Sequence, residues 1–101
     1  MIKLTVLYGH PTDTAAFEQY YASTHVPLAL QMKGHERAEL TKFMSAPDGV
    51  QAAYYRMAEF WFPSAEALQA TMSSPEGQAT AADLPNFATG GVTFSTGEVA
   101  Q

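Results

Sequence analysis

The sequence contains no cysteine, which excludes a disulfide framework and any chemistry based on a thiolate. Basic residues are also scarce: five lysines and arginines stand against ten acidic residues, giving a net charge of −5. The five are scattered between Lys3 and Arg56 and form no patch that would suit a phosphate backbone. We therefore expect neither nucleic acid nor an anionic membrane as a partner.

Long apolar runs are missing too, since no stretch approaches the roughly 20 residues that a membrane span needs. The chain opens directly into strand-like sequence instead of a signal peptide, which favours a cytoplasmic location. No phosphate-binding loop or nucleophile elbow occurs. The three histidines, His10, His25 and His35, lack the short spacings of local metal sites. We expect no cofactor and no metal.

What is present indicates one α+β domain over residues 1–101. Alternating apolar residues predict strands over 2–8, 36–44 and 52–62, with a last short strand over 92–96. A helix follows the first strand, and two short helices with serine caps at Ser64 and Ser74 follow the third. This order predicts a ferredoxin-like βαββαβ fold with a four-stranded antiparallel sheet.

The third strand is mostly apolar on both faces, although helices can cover only one face of such a sheet. The other face needs a partner, and the simplest partner is a second copy of the chain. We therefore expect a homodimer in which two sheets form a dimeric α/β barrel. Arg56 and Glu59, on opposite faces of this strand, are the charged residues expected to be buried.

The stretch over residues 17–32 is predicted to form one helix around which the chain is organised. Its buried face, read with a 3.6-residue period, carries five residues: Phe17, Tyr20, Tyr21, Thr24 and Leu28. His25 lies on or beside this face, and Pro27 should bend or loosen the helix just after it. Two interpretations remain open: a reactive histidine at a helix break over a pocket, or a core histidine bonded to a backbone carbonyl.

Several side chains in this pattern suit acid–base chemistry on a small molecule. An imidazole such as His25 titrates near neutral pH and can take or give a proton. Arg56 suits an anionic substrate or, alternatively, an ion pair across the sheet or the dimer interface. Tyrosine hydroxyls that could hold a carbonyl or enolate oxygen are those of Tyr20, Tyr21, Tyr54 and Tyr55.

Four segments of the chain, taken in order, resemble the EthD family. Residues 17–28 resemble its signature helix through Phe17-x-x-Tyr20-Tyr21-x-x-x-His25-x-Pro27-Leu28. Residues 8–13 are similar to the strand-to-helix entry that precedes this helix, and residues 54–62 are similar to the family's central strand. Residues 73–87 resemble its C-terminal helical segment, including Asp83. The resemblance extends from the first strand to Gly91.

The resemblance implies a dimeric α/β barrel of ferredoxin-like protomers and a bacterial accessory or catabolic protein, often labelled a reductase. Related barrels include cofactor-free lactone isomerases, polyketide cyclases and quinone-forming monooxygenases, several of which use a histidine on this helix as acid or base. Two functions remain open: a cofactor-free enzyme acting on a small hydrophobic or aromatic carbonyl compound through His25, and a non-catalytic protein that binds a hydrophobic metabolite. Haem handling is a third. By resemblance, Tyr21 and Asp83 join the candidate site.

Overall fold

The computed structural model describes residues 1–100. Its strands are β1 (Ile2–Tyr8), β2 (Arg37–Lys42), β3 (Arg56–Phe62) and β4 (Val92–Glu98). Its α-helices are α1 (Thr14–Tyr20), α2 (Val26–Ala29), α3 (Ala65–Ser73) and α4 (Pro75–Asp83). A π-helical turn (Tyr21–His25) joins α1 to α2, and a 3₁₀ turn (Leu84–Asn86) follows α4. No helix within these residues is long and apolar enough to cross a membrane.

The four strands form one antiparallel sheet in the order β2-β3-β1-β4. This is the ferredoxin-like arrangement, so the predicted fold class is confirmed. The predicted third strand begins four residues too early. Tyr55 still bonds to the carbonyl of Tyr8 at 2.7 Å, but β1 then ends and leaves residues 52–54 without a partner strand.

The helices begin where short polar side chains can bond free backbone amides. Asp13 accepts from Ala16 N–H at 3.1 Å at the start of α1. Ser64 and Ser74 cap α3 and α4 in the same way, as the sequence predicted. The first helical segment, α1 through α2, is followed by Gly34, whose φ of 100° suits a glycine.

The prediction of one helix over residues 17–32, bent or loosened just after His25, is wrong in one respect that matters for function. The turn from Tyr21 to His25 is π-helical, and Val26 N–H bonds to the carbonyl of Tyr21, five residues back. The extra residue rotates the later part of the segment, so Thr24 is exposed while His25 is buried. The buried residues of this segment are Phe17, Tyr21, His25 and Met32.

All the helices pack on one face of the sheet, where Leu4, Val6, Ala58, Phe60 and Phe62 are buried. His35 is half-buried in this core, with its ring edge-on to Phe60 and Phe62.

The opposite face of the sheet carries ion pairs among half-buried apolar side chains. Lys3 bonds to Glu59 at 3.0 Å, and Arg37 stacks 4.6 Å from the ring centroid of Trp61. Leu7 and Met57 are half-buried beside them. Within residues 1–100, no helix packs on this face.

Candidate functional site

A cavity of about 200 Å³ lies between the first helical segment and the sheet. The sheet supplies its floor, and helices α2, α3 and α4 together with the π-helical turn supply its roof. Most of its wall is aliphatic or aromatic. The polar side chains in the wall are those of Tyr8, Tyr21, His25 and Thr80.

His25 is the polar centre of this wall. The π-helical turn directs the imidazole inward, leaving the residue 4% exposed, and the ring packs 4.5 Å from that of Phe87. Its Nδ1 lies 2.9 Å from Asp83 Oδ2, and its Nε2 lies 3.4 Å from the hydroxyl of Tyr8. The fold thus joins the end of β1, the π-helical turn and the end of α4 at one point.

Asp83 is held by donors on both of its oxygens. Oδ1 accepts from the Tyr20 hydroxyl at 2.6 Å and from Asn86 Nδ2 at 3.0 Å, while Oδ2 faces His25. Burial by itself would raise the pKa of this carboxyl, but the hydrogen bonds from Tyr20, Asn86 and His25 outweigh burial and lower it. Asp83 is therefore ionised near neutral pH, although it lies at a helix C-terminus that disfavours negative charge.

An ionised Asp83 fixes the tautomer of His25. The carboxylate can only accept, so Nδ1 carries the ring hydrogen and Nε2 is left with its lone pair free to accept. Burial lowers the pKa of His25, and the opposing effect of Asp83 does not reverse this direction. Burial, with help from Tyr21 and Asp83, raises the pKa of Tyr8, which keeps its proton and donates to Nε2. The site therefore holds a neutral base beside a neutral hydroxyl donor.

The remaining residues proposed from sequence occupy different places. Tyr21 lines the cavity and is stacked under Arg56, whose guanidinium carbon lies 4.8 Å from the ring centroid. Arg56 bonds Glu18 on α1 through two nitrogens at 2.9 and 2.6 Å, so its ion pair joins the sheet to a helix and does not cross the sheet or a dimer interface as expected. Tyr54 and Tyr55 are absent from the cavity wall.

Tyr8 and Asn86 belong to the site but were missed as site residues. Tyr8 is the last residue of β1 and lies on the same face as Leu4 and Val6. Its place in this alternation predicts a buried phenol, which is the sequence feature that could have identified Tyr8 as a site residue. Asn86 lies three residues after Asp83, and nothing in the sequence indicated that its side chain turns back to bond Asp83. Within residues 1–100, no cluster of His, Asp or Glu is arranged to hold a metal ion.

Comparison with known proteins gives consistent results. The EthD domain matches residues 9–91 of the chain. An uncharacterized 11.0 kDa protein from the thcB–thcC intergenic region of Rhodococcus erythropolis is 48% identical over 95 residues, which are 93% of this chain and 90% of that protein.

Two solved structures show how far the similarity extends. An ethyl tert-butyl ether D (EthD) family protein from Bacillus halodurans C-125 is 34% identical, with a TM-score of 0.91 and 99% of each chain covered. SnoaB, a cofactor-independent oxygenase from Streptomyces nogalater, shares the fold at 16% identity and a TM-score of 0.65, with 99% of this chain and 92% of that chain covered. The resemblance found in the sequence is thereby confirmed, and the chain belongs to the EthD family.

Proposed function

We propose that the protein is a cofactor-independent enzyme that transfers a proton within a small hydrophobic or aromatic carbonyl compound, with His25 as the base. The observation that carries this proposal is the orientation of the imidazole. Its Nδ1 is bonded to an ionised carboxylate, and its Nε2 lies beside the Tyr8 hydroxyl in the wall of an apolar cavity. A histidine held in this way is oriented, neutral and able to accept a proton.

The proposed reaction begins when the Tyr8 hydroxyl turns its hydrogen from Nε2 to the carbonyl oxygen of the substrate, which frees the Nε2 lone pair for an adjacent C–H bond. The proton moves to Nε2, and the electrons of the C–H bond form an enolate whose oxygen accepts the hydrogen bond from Tyr8. Asp83 stabilises the imidazolium that results. Returning the proton to another carbon gives an isomer. Attack of the enolate carbon on a second carbonyl of the same molecule gives a cyclised product, and the new alkoxide then takes the proton back from Nε2.

One fold neighbour is described as a cofactor-independent oxygenase, so dioxygen is a further candidate acceptor for such a carbanion. Oxygen consumption is therefore measured beside proton exchange. The test uses phenylacetone, a small carbonyl compound with an acidic benzylic C–H, in D₂O. We expect the protein to accelerate deuterium uptake, and we expect His25→Ala to abolish the acceleration while the protein stays folded.

The control for this test is thermal stability measured on the same variant. A histidine with a purely structural role would leave the exchange rate proportional to the amount of folded protein, and its loss would lower stability by about 1–3 kcal/mol. If His25→Ala melts earlier but exchanges normally when folded, the proposal is wrong.

A second candidate function is non-catalytic binding of a hydrophobic metabolite in an oxidative degradation pathway. It is favoured by one observation: Nε2 already has a partner in Tyr8, so the polar network is complete without a substrate. In this case phenylacetone would bind without deuterium uptake.

We further propose that the protein is a homodimer joined through the sheet face that carries no helix. Half-buried Leu7, Met57 and Trp61 supply apolar contact area there, and the pair between Lys3 and Glu59 leaves little unpaired charge to desolvate. A stable interface should bury on the order of 1,500 Å² or more in total. Sedimentation equilibrium that shows a monomer at micromolar concentration would contradict this proposal.

A further inference from the structure

One row of side chains crosses the whole sheet along the floor of the cavity. In the strand register Leu40 pairs with Ala58, Ala58 with Val6, and Val6 with Phe94. All four line the cavity. Three strand spacings of about 4.8 Å make this row roughly 14 Å long. Its two ends lie on the edge strands, where Leu40 is 46% exposed and Phe94 is 52% exposed.

Small side chains create the space above this row. Ala58 lies in the middle of the floor, and Ala29 and Ala81 face the cavity from α2 and α4. In the adjacent row, Phe60 and Leu4 are large and buried. A longer side chain at position 58 would project into the centre of the cavity.

The volume limits what can enter. A closed apolar cavity of about 150 Å³ accommodates benzene. The 200 Å³ available here suits one substituted six-membered ring or an aliphatic body of similar size, and two or three fused rings would have to extend beyond this space toward the exposed edge strands.

The polarity of the wall limits the ligand further. Among the residues that the structure describes, no lysine, arginine, aspartate or glutamate lines the wall. Thr80 lines it, but its hydroxyl donates to the carbonyl of Glu76 at 2.8 Å. The remaining polar groups of the wall belong to Tyr8, Tyr21 and His25, and Tyr8 and His25 meet at one point. A charged ligand would lose its hydration and find no opposite charge.

We infer that the cavity binds an uncharged molecule with a single ring, or an apolar body of that size, which carries one oxygen directed at Tyr8 and His25. Ala58 sets the upper limit of size. This inference rests on the proposed function, because it takes the same site and names the ligand that fits it.

The first arm of the test measures binding to the wild-type protein by calorimetry, without any turnover. Phenylacetone and phenylacetate have nearly the same shape and differ in charge, and 9-anthrylacetone adds two fused rings. We expect phenylacetone to bind at least tenfold more tightly than phenylacetate, and 9-anthrylacetone to show no binding. Equal affinity for the charged compound, or binding of the anthryl compound, would overturn the inference.

The second arm tests the role of Ala58. Ala58→Leu should weaken phenylacetone binding at least tenfold, whereas Ala82→Leu makes the same change on the exposed side of α4 and should leave binding unchanged. Ala58→Gly removes a methyl group and should keep binding intact. Unchanged affinity in a folded Ala58→Leu protein would overturn the inference, and if that variant does not fold, the wild-type series decides.

Failure of this inference and failure of the proposed function are distinguishable. The predicted binding series without any deuterium uptake would contradict the proposed enzyme and support the ligand class. Deuterium uptake by a protein that also binds the anthryl compound would contradict the ligand class alone.

Discussion

Replacing Asp83 with asparagine changes the base of the proposed reaction without removing it. The new amide side chain would best keep its oxygen where Asp83 Oδ1 accepts from Tyr20 and Asn86. Its amide nitrogen would then face Nδ1 of His25, where a carboxylate oxygen lies now. Two donors cannot share one hydrogen bond, so the ring hydrogen of His25 should move from Nδ1 to Nε2.

The expected size of the effect follows from this change of tautomer. Nε2, which faces the cavity, would carry a hydrogen and could no longer accept the substrate proton. General-base catalysis contributes about 10²–10⁴-fold, so Asp83→Asn should slow deuterium uptake by at least about 100-fold. Hydrogen bonds to a charged group contribute about 1 kcal/mol more than neutral ones, so the three bonds together should cost about 1–3 kcal/mol of stability.

The assay combines ¹⁵N NMR of the His25 ring with the phenylacetone exchange rate and a thermal melt. Tyr20→Phe is the matched control, since it removes one of the bonds to Asp83 but leaves the carboxylate and the tautomer. It should keep most of the activity. The reasoning is refuted if Asp83→Asn keeps the hydrogen on Nδ1, or if Tyr20→Phe loses as much activity as Asp83→Asn.

Three further predictions concern stability. Burial lowers the pKa of His25 on folding, so the unfolded chain takes up the proton first as the pH falls. The contribution of His25 to stability should be complete above about pH 6.5 and decline below it. Thermal melts between pH 7.5 and 5 should show a smaller decline in His25→Gln than in the wild-type protein. The hydrogen bond from Arg56 lowers the pKa of Glu18 from 4.5 to about 2. The contribution of Glu18 to stability is therefore present above pH 4.5 and lost as the pH falls through about 2. In Glu18→Gln the stability should depend less on pH in that window. Gly34→Ala should lower the free energy of unfolding in urea by about 1–3 kcal/mol, because φ of Gly34 is 100° and the new Cβ would clash with the Thr71 hydroxyl. Gly49 has a φ of 85° but open space around it, so Gly49→Ala should lower the free energy of unfolding by less. Equal costs for the two glycine variants would show that the contact is unimportant.

The sheet was predictable because its evidence is local. Alternation of apolar residues marks strands, and the order of strands and helices leaves few topologies. The serine caps at Ser64 and Ser74 were predictable for the same reason, since a cap and the amides that it bonds lie within three residues. Only the ends of the strands were misjudged, where pairing depends on the length of the neighbouring strand.

The candidate site was predictable in part. His25 and Asp83 were both proposed, the second through family resemblance alone, but 58 positions separate them and no local pattern joins them. The placement of Arg56 against Glu18 is equally non-local. Tyr8 was assigned to a strand and given no further role, because burial of its hydroxyl beside His25 depends on how α4 and β1 converge.

The π-helical turn explains why a periodicity argument came close to His25 and still chose Thr24. At about 100° per residue, an α-helix that starts from Phe17 places Thr24 roughly 20° from the direction of Phe17 and His25 roughly 80° from it. One additional residue in the turn shifts the later positions by about 100°, which brings His25 into line with Phe17 and moves Thr24 outward. Pro27 lacks an amide hydrogen, so a regular helix would gain one bond fewer here. The π-helical turn therefore loses less backbone hydrogen bonding at this position than it would elsewhere in a helix. The same turn directs the imidazole toward Asp83 and the cavity.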